Sequence, residues 1–308
     1  MLSLLTRKKR FADPWVGHPL LNSRFGLHRR RMQLADALCS WRRWLVPARG
    51  TGLPPAALDT LARDGCLQIA DFLPQACFET LRREAESAVA RAAGLRAIGR
   101  NKRPGYQRKR PFSGGFDRFD GGTLNRFLAV DPASMPAARH FATDSRLRAC
   151  ARAVIGLPID PANLEIYLTV HGDETRTPDL QKVLHRDTFF RALKFWYFLR
   201  PVSPEDGPFV YVPGSHRLDR TRLSWEQAMA NEAIASGAMP NQGGSLRIRE
   251  ADLPSLGLPA PVAFVCPANT LVVADVLGFH RRGDALAGRQ RLGLYGWLRP
   301  YPFLPLPW

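Results

Sequence analysis

The chain beyond residue 160 narrows the possible folds more than any other part of the sequence. It breaks into short runs of apolar, β-branched and aromatic residues: "LEIYLTVH", "LKFWYFLRPV", "PFVYVPG", "VAFVCPANTLVVADV" and "RLGLYGWLRP". Turn residues separate them. Branched and aromatic side chains suit a pleated, half-buried surface, so each run reads as a strand. Several short strands at this spacing predict a β-sandwich or a jelly-roll barrel. One helix-like segment, "SWEQAMANEAIASG", interrupts them. The 26 prolines and 25 glycines in 308 residues fit short elements joined by turns better than a helical bundle.

The first half has a helical texture. "PPAALDTLARDG" reads as a short helix stopping at Gly65, and "CLQIADFL" as a strand. "PQACFETLRREAESAVARAAG" reads as a helix with proline near its start and glycine after its end, and "SRLRACARAVIG" as another. Met32 to Leu45 forms a candidate amphipathic helix with Leu34, Leu38, Trp41 and Leu45 on one side. Its mixture of Arg and Trp suits docking on the protein's own core or on a membrane surface. The expected fold is α+β with a mainly β core and the N-terminal helices packed on one face. Residues 1–50 read as a basic, partly helical extension and 51–308 as the β-rich domain. The Gly/Pro-rich stretch 96–123 reads as a long loop, and loops of that length are often lids.

Charge bears on the choice of partners. The net charge is +17, and it is uneven. Residues 1–50 carry eleven Lys or Arg against Asp13 and Asp36, and "RAIGRNKRPGYQRKRPFSGG" has seven basic residues and no acid. Such fields attract nucleic acid, phospholipid, or a phosphorylated or CoA-linked substrate. The chain carries no helix-turn-helix, zinc-finger or RNA-binding signature, so nucleic acid is not the expected partner. The five cysteines are odd in number and lack a C-x-x-C pair, which argues against a disulfide framework or a zinc ribbon. That usage suits a reducing compartment. The start, "MLSLLTRKKRF", has too short an apolar piece for a signal peptide, and its charges follow that piece. No run approaches the ~20 apolar residues of a membrane span. A cytoplasmic protein is expected, with peripheral membrane contact through the basic N-terminus as an option. Oligomeric state is not legible in the chain.

Seven histidines are present, and three side chains stand out. His185 and Asp187 are two residues apart, so on an extended segment both point to the same side. A lone H-x-D pair more often caps a turn or a strand end. His280 lies 93 residues after Asp187, at the end of the strand-like "NTLVVADVLGF". Two imidazoles and one carboxylate make a facial metal set with three open positions, which suits non-haem Fe(II) that must bind a co-substrate and O2 together. Arg291 comes eleven residues after His280 and begins the next strand-like run. A guanidinium offers a two-pronged clamp for a carboxylate. The four residues on a short-strand background fit an iron site fed by 2-oxoglutarate.

With these residues in view, the chain resembles the phytanoyl-CoA dioxygenase family of Fe(II)/2-oxoglutarate-dependent oxygenases, from about Leu53 to the end. "DGCLQIADFLPQACFETLRREAE" is similar to the family's opening helix–strand–helix. "LHRDTFF" and "LKFWYFLRPVSPEDGPFVYVPGSH" resemble its iron-binding strand, the next strand and a Pro-Gly-Ser-His turn, and "ANTLVVADVLGFHRRG" with "GRQR" its distal half. The tail "YPFLPLPW" is similar to that of a bacterial subgroup. The resemblance implies a double-stranded β-helix, cupin-like in architecture. It implies His185, Asp187 and His280 as the catalytic iron ligands and Arg291 as the partner of the distal carboxylate of 2-oxoglutarate. It places Trp196 near the co-substrate, with a core aromatic as the plainer reading.

Gln181 and Lys194 flank the H-x-D pair as candidate pocket residues or as ordinary core-edge polar groups. His216, in "PGSH", reads as part of a turn, and Thr123, Asn125 and Arg126 are candidates to face substrate. One departure stands out: many members have Ser or Thr two residues after the distal histidine, where this chain has Arg282. The implied reaction is hydroxylation of a small molecule, or of a lipid-, CoA- or sugar-linked one, with release of succinate and CO2. Related halogenases lack a carboxylate at the Asp187 position. Basic residues in 96–110, Arg103, Arg108 and Lys109 among them, point to an anionic substrate. The competing class is a non-catalytic jelly-roll module that sets its basic face on membrane or nucleic acid. A cupin-like metal isomerase or a dioxygenase without 2-oxoglutarate is a third class, though cupins usually show more closely spaced histidines.

Overall fold

The structure is a computed structural model and describes residues 5–46, 52–95, 109–157, 160–161, 163–175 and 178–305. Helices α1 (Pro19–Phe25) and α2 (Leu27–Leu45) meet at Gly26, in the left-handed region at φ 59°. Helix α3 (Pro55–Asp64) stops at Gly65, as the sequence predicts, and feeds strand β1 (Cys66–Ile69). Helix α4 (Gln75–Ala92) follows. Strands β2 (Arg110–Phe112), β3 (Gly115–Asp120) and β4 (Thr123–Ala129) form a meander. Helices α5 (Pro136–Ala142) and α6 (Ser145–Ile155) lead to β5 (Leu164–Val170) and β6 (Leu193–Phe198). Strand β7 (Phe209–Tyr211) and helix α7 (Arg220–Ser236) come next. Strands β8 (Val262–Phe264), β9 (Thr270–Asp275), β10 (His280–Arg282) and β11 (Gln290–Leu298) complete the order.

Eight strands form an antiparallel sheet in the order β1-β9-β6-β11-β5-β4-β3-β2, and β10-β7-β8 form a smaller one. Side chains alternate across the large sheet and divide the core. On β6, Leu193, Phe195 and Tyr197 join Phe78, Phe141 and Leu147 of the helical layer. Trp196 and Phe198 turn the other way and meet Phe209 and Tyr211 of the small sheet. The result is the expected jelly roll with helices on one face, and its active cavity can open only on the side between the sheets.

Two expectations change. The stretch 96–123 is not a continuous loop. Residues 96–108 lie outside the described residues, but from Arg110 onward the chain is sheet. "GFDRFD" and "TLNRFLA" pair as a hairpin across Gly121 and Gly122, with Phe116 stacked on Phe127 at 4.7 Å. A two-residue glycine turn between alternating runs is a hairpin signal that outweighs the stretch's Gly content. Helix α2 begins five residues before Met32, and its buried face is Met32, Ala35, Cys39 and Arg42. Trp41 is 48% exposed and Leu45 40%. The face shifts because Arg42 is satisfied inside, donating to Ile155 O at 3.2 Å and Leu304 O at 2.7 Å. The N-terminal residues are built into the fold, with Phe11 and Val16 in a cluster with Ala230, Ala233 and Leu246. Among the described residues no helix is long and apolar enough to cross a membrane, and all five cysteines are free thiols.

Candidate active site

His185 and His280 face each other in an antiparallel bridge. The His185 amide donates to His280 O at 3.0 Å, and the His280 amide donates back at 2.9 Å. Residues directly opposite in such a pair share a face. Asp187 returns to that face two residues later, with its own amide donating to Val276 O at 2.9 Å. His185 Nε2 is 3.8 Å from Asp187 Oδ1, and His280 Nε2 is 3.8 Å from Asp187 Oδ2. One ligand atom from each residue lies within 4.8 Å of the others. A carbonyl only accepts, so His185 Nδ1 donates to Val183 O at 2.7 Å and His280 Nδ1 to Gly278 O at 2.9 Å. Both rings then present an Nε2 lone pair. Among the described residues His280 Nε2 is buried and has no hydrogen-bond partner, which fits a nitrogen that would ligate a metal.

The charges suit ligation. Burial drives His185 down to about 3 and His280 to about 4, so both imidazoles are neutral at pH 7. For Asp187 burial pushes upward, but Lys194, His280 and Arg299 together outweigh it and hold the carboxyl well below its usual range. Lys194 Nζ contacts Asp187 Oδ2 directly, and an Arg299 Nη donates to the same oxygen at 3.3 Å. Lys194 is therefore more than a core-edge polar residue.

The site opens into a cavity of about 680 Å3. Among the described residues its wall holds ten Lys or Arg side chains and two acids, Glu165 and Asp187. Arg291 lies on that wall opposite Thr169, buried, and forms no ion pair among the described residues. Burial lowers its guanidinium to about 10, so it stays charged. Gln181 and Trp196 also line the cavity. Trp196 is at once wall and core, stacked on Phe209 at 4.2 Å. Arg282 lines it too, but its charge is matched: it pairs with Asp179, lies 3.6 Å from Asp120 and donates to Asn125 Oδ1 at 2.7 Å.

Thr123, Asn125 and Arg126 do not reach the cavity wall. Asn125 points inward but is covered by Arg282 and by Tyr167, whose hydroxyl donates to it at 2.5 Å. Arg126, on the opposite face of β4, pairs with Asp117 at 2.8 Å. His216 is buried at its turn beside Ala62 O at 3.2 Å. Sequence reasoning missed Arg299 and Lys9. Arg299 was legible, because 291, 295, 297 and 299 all line the cavity in the strand period. Lys9 carries no local signal, since its hydrogen-bond partners Asp187 and Ser245 lie 178 and 236 residues away.

A jelly roll that presents two neutral imidazoles and an ionised carboxylate to one cavity fits the class of non-haem Fe(II)/2-oxoglutarate-dependent dioxygenases. The chain belongs to the phytanoyl-CoA dioxygenase (PhyH) family, whose model matches residues 61–243. That span contains His185 and Asp187 and ends before His280 and Arg291. No curated protein matches the chain. Solved structures similar to it include the epimerase SnoN in complex with Fe3+, alpha ketoglutarate and nogalamycin RO. It is 18% identical, with a TM-score of 0.48 over 80% of this chain and 88% of that one. HygX from Streptomyces hygroscopicus, with nickel and 2-oxoglutarate bound, is 19% identical, with a TM-score of 0.46 over 80% and 87%. EctD from S. alaskensis with bound Fe is 16% identical, with a TM-score of 0.45 over 83% and 84%.

Proposed function

We propose that the protein hydroxylates an anionic small molecule, or the anionic end of a lipid-, CoA- or sugar-linked one, with release of succinate and CO2. The observation that carries this reading is Arg291: a buried guanidinium without an ion-pair partner among the described residues, in the same cavity as the triad. An unmatched buried charge is costly, so a carboxylate ligand is its natural partner. In this reading His185, Asp187 and His280 hold Fe(II), and Arg291 holds the far carboxylate of 2-oxoglutarate. Bound iron and 2-oxoglutarate supply the activation of O2. The chain's own residues do the rest. Two carbonyls fix the imidazole tautomers, and Lys194 and Arg299 keep Asp187 ionised and aimed. Trp196 and Phe209 wall the site with apolar surface that limits water. Asp187 occupies the protein's third ligand position, which supports hydroxylation over halide transfer.

The test is anaerobic addition of Fe(II) and 2-oxoglutarate. A visible charge-transfer absorption is expected from wild type and should vanish in the Asp187→Ala, His280→Ala double variant. Its absence from metal-loaded wild type, or its survival in the double variant, overturns the reading. The free thiols support a reducing, cytoplasmic setting. Trp41 and Trp44, exposed beside Arg43 on α2, support peripheral contact with an anionic membrane, testable by vesicle flotation.

A further inference from the structure

Residues Lys9 and Arg10 lie more than fifty residues before the start of the family match, yet both wall the active-site cavity. The segment that carries them is seated firmly. Arg31, fully buried, donates to Thr6 O and Lys8 O, each at 2.6 Å. The Phe11 amide donates to Gln242 O at 2.8 Å, and the Phe11 ring is buried. Gly244 lies against the Lys9 carbonyl so closely that a Cβ there would come within 2.0 Å of the oxygen. Only glycine allows that approach, so the loop at 244 and the segment at 9 are fitted to each other.

Lys9 Nζ donates to the backbone carbonyl of Asp187 at 2.6 Å and to Ser245 Oγ at 2.7 Å. Both acceptors are neutral, so neither hydrogen bond is an ion pair. Arg10 is exposed at the cavity wall and forms no ion pair among the described residues. Arg281 also lines the cavity, and its nearest carboxylate, on the exposed Asp284, is 4.0 Å away. Of the other cations, Lys194 and Arg299 meet Asp187, Arg282 meets Asp179 and Arg118 meets Asp120, Arg247 donates to Ser245 O at 3.0 Å, Lys109 lies over the Phe116 ring at 4.1 Å, and Arg291 is taken by the co-substrate proposed above. Fe(II) and the dianion of 2-oxoglutarate balance each other, so loading the site leaves the remaining positive charge in place.

We infer that Lys9 and Arg10 form an anion subsite for the primary substrate, and that its ligand is a phosphate ester. This rests on the dioxygenase reading of the same cavity. A phosphate monoester carries close to two negative charges near neutral pH and presents three acceptor oxygens, which suits separated cations better than a single planar carboxylate does. The segment that supplies the subsite lies outside the residues that the family model matches.

The probe is methyl phosphate, titrated by calorimetry into the anaerobic Fe(II) protein with 2-oxoglutarate saturating, so that Arg291 is occupied. The charge-transfer absorption is recorded in parallel. Wild type is expected to bind. Arg10→Gln should weaken binding about fivefold, and Lys9→Gln with Arg10→Gln at least about tenfold. Arg83→Gln, on the solvent face of α4, removes the same charge and should stay within about twofold. Wild type that fails to bind while its absorption is intact overturns the subsite. So does an Arg10→Gln variant as tight as wild type. Absent absorption with methyl phosphate binding still weakened in Arg10→Gln leaves the subsite standing and removes the iron reading instead.

Discussion

His185 and His280 owe their ligating form to two backbone carbonyls and to burial, and Asp187 owes its charge to Lys194 and Arg299. Supporting groups of this kind typically change metal affinity 10- to 100-fold when removed. Lys194→Met is therefore expected to weaken Fe(II) binding by about tenfold, read from a metal titration, with Lys194→Arg restoring much of it. Equal affinity in Lys194→Met would mean that Arg299 suffices alone. Arg291→Gln is expected to raise the 2-oxoglutarate Michaelis constant by roughly 30-fold or more, because losing one partner of a desolvated charge pair costs about 2–5 kcal/mol. Turnover without substrate, followed as succinate release, gives that constant directly. An unchanged constant would remove Arg291 from the co-substrate site. The common face of His185 and Asp187 was legible, because the H-x-D spacing and strand alternation are local. The pairing of Arg282 with Asp179 was not, since it joins residues 103 positions apart.

The segment bearing His185 and Asp187 is held from its other face. Arg186 sits between the two ligands, points the opposite way, and is fully buried. Its guanidinium donates to Glu226 of α7 at 2.8 and 2.9 Å, and to Gly244 O at 2.6 Å. Glu226 also takes Arg222 at 3.0 Å, and Arg222 donates to Leu277 O, just before the His280 strand, at 3.0 Å. One carboxylate on one helix thus ties down both ligand-bearing strands. Removing one partner of a buried ionic cluster strands the others, at about 3–5 kcal/mol. Glu226→Gln should lower the denaturant midpoint accordingly and weaken metal binding with it. A midpoint equal to wild type would show that the cluster contributes little. Sequence periodicity placed α7 as a helix but gave no hint of this role. Only the partners across the fold make the burial of Arg222 and Glu226 tolerable.

Across the molecule, histidines held neutral in the interior set the response to acid. Burial lowers His28 to about 4, and His171 and His216 to about 3, against about 6.5 in the unfolded chain. Between those values the unfolded state binds more protons, so stability rises with pH there and falls as pH drops from about 6.5 toward 4. Each such histidine contributes up to about 1.4 kcal/mol per pH unit. Chemical denaturation of the metal-free protein at pH 7 and pH 5 measures this, and coincident midpoints would refute it. At this scale the short-strand texture after residue 160, the two-residue H-x-D step and the Gly65 stop determined the jelly roll, its helical face and the common face of His185 and Asp187, because strand period and helix termination act between near neighbours. Tertiary structure alone decided that the Gly-rich stretch after Arg110 is sheet, that Arg282 is neutralised, and that Lys9 reaches the carbonyl of Asp187. Those outcomes depend on which charges and backbones meet across the fold, and no local pattern records the meeting.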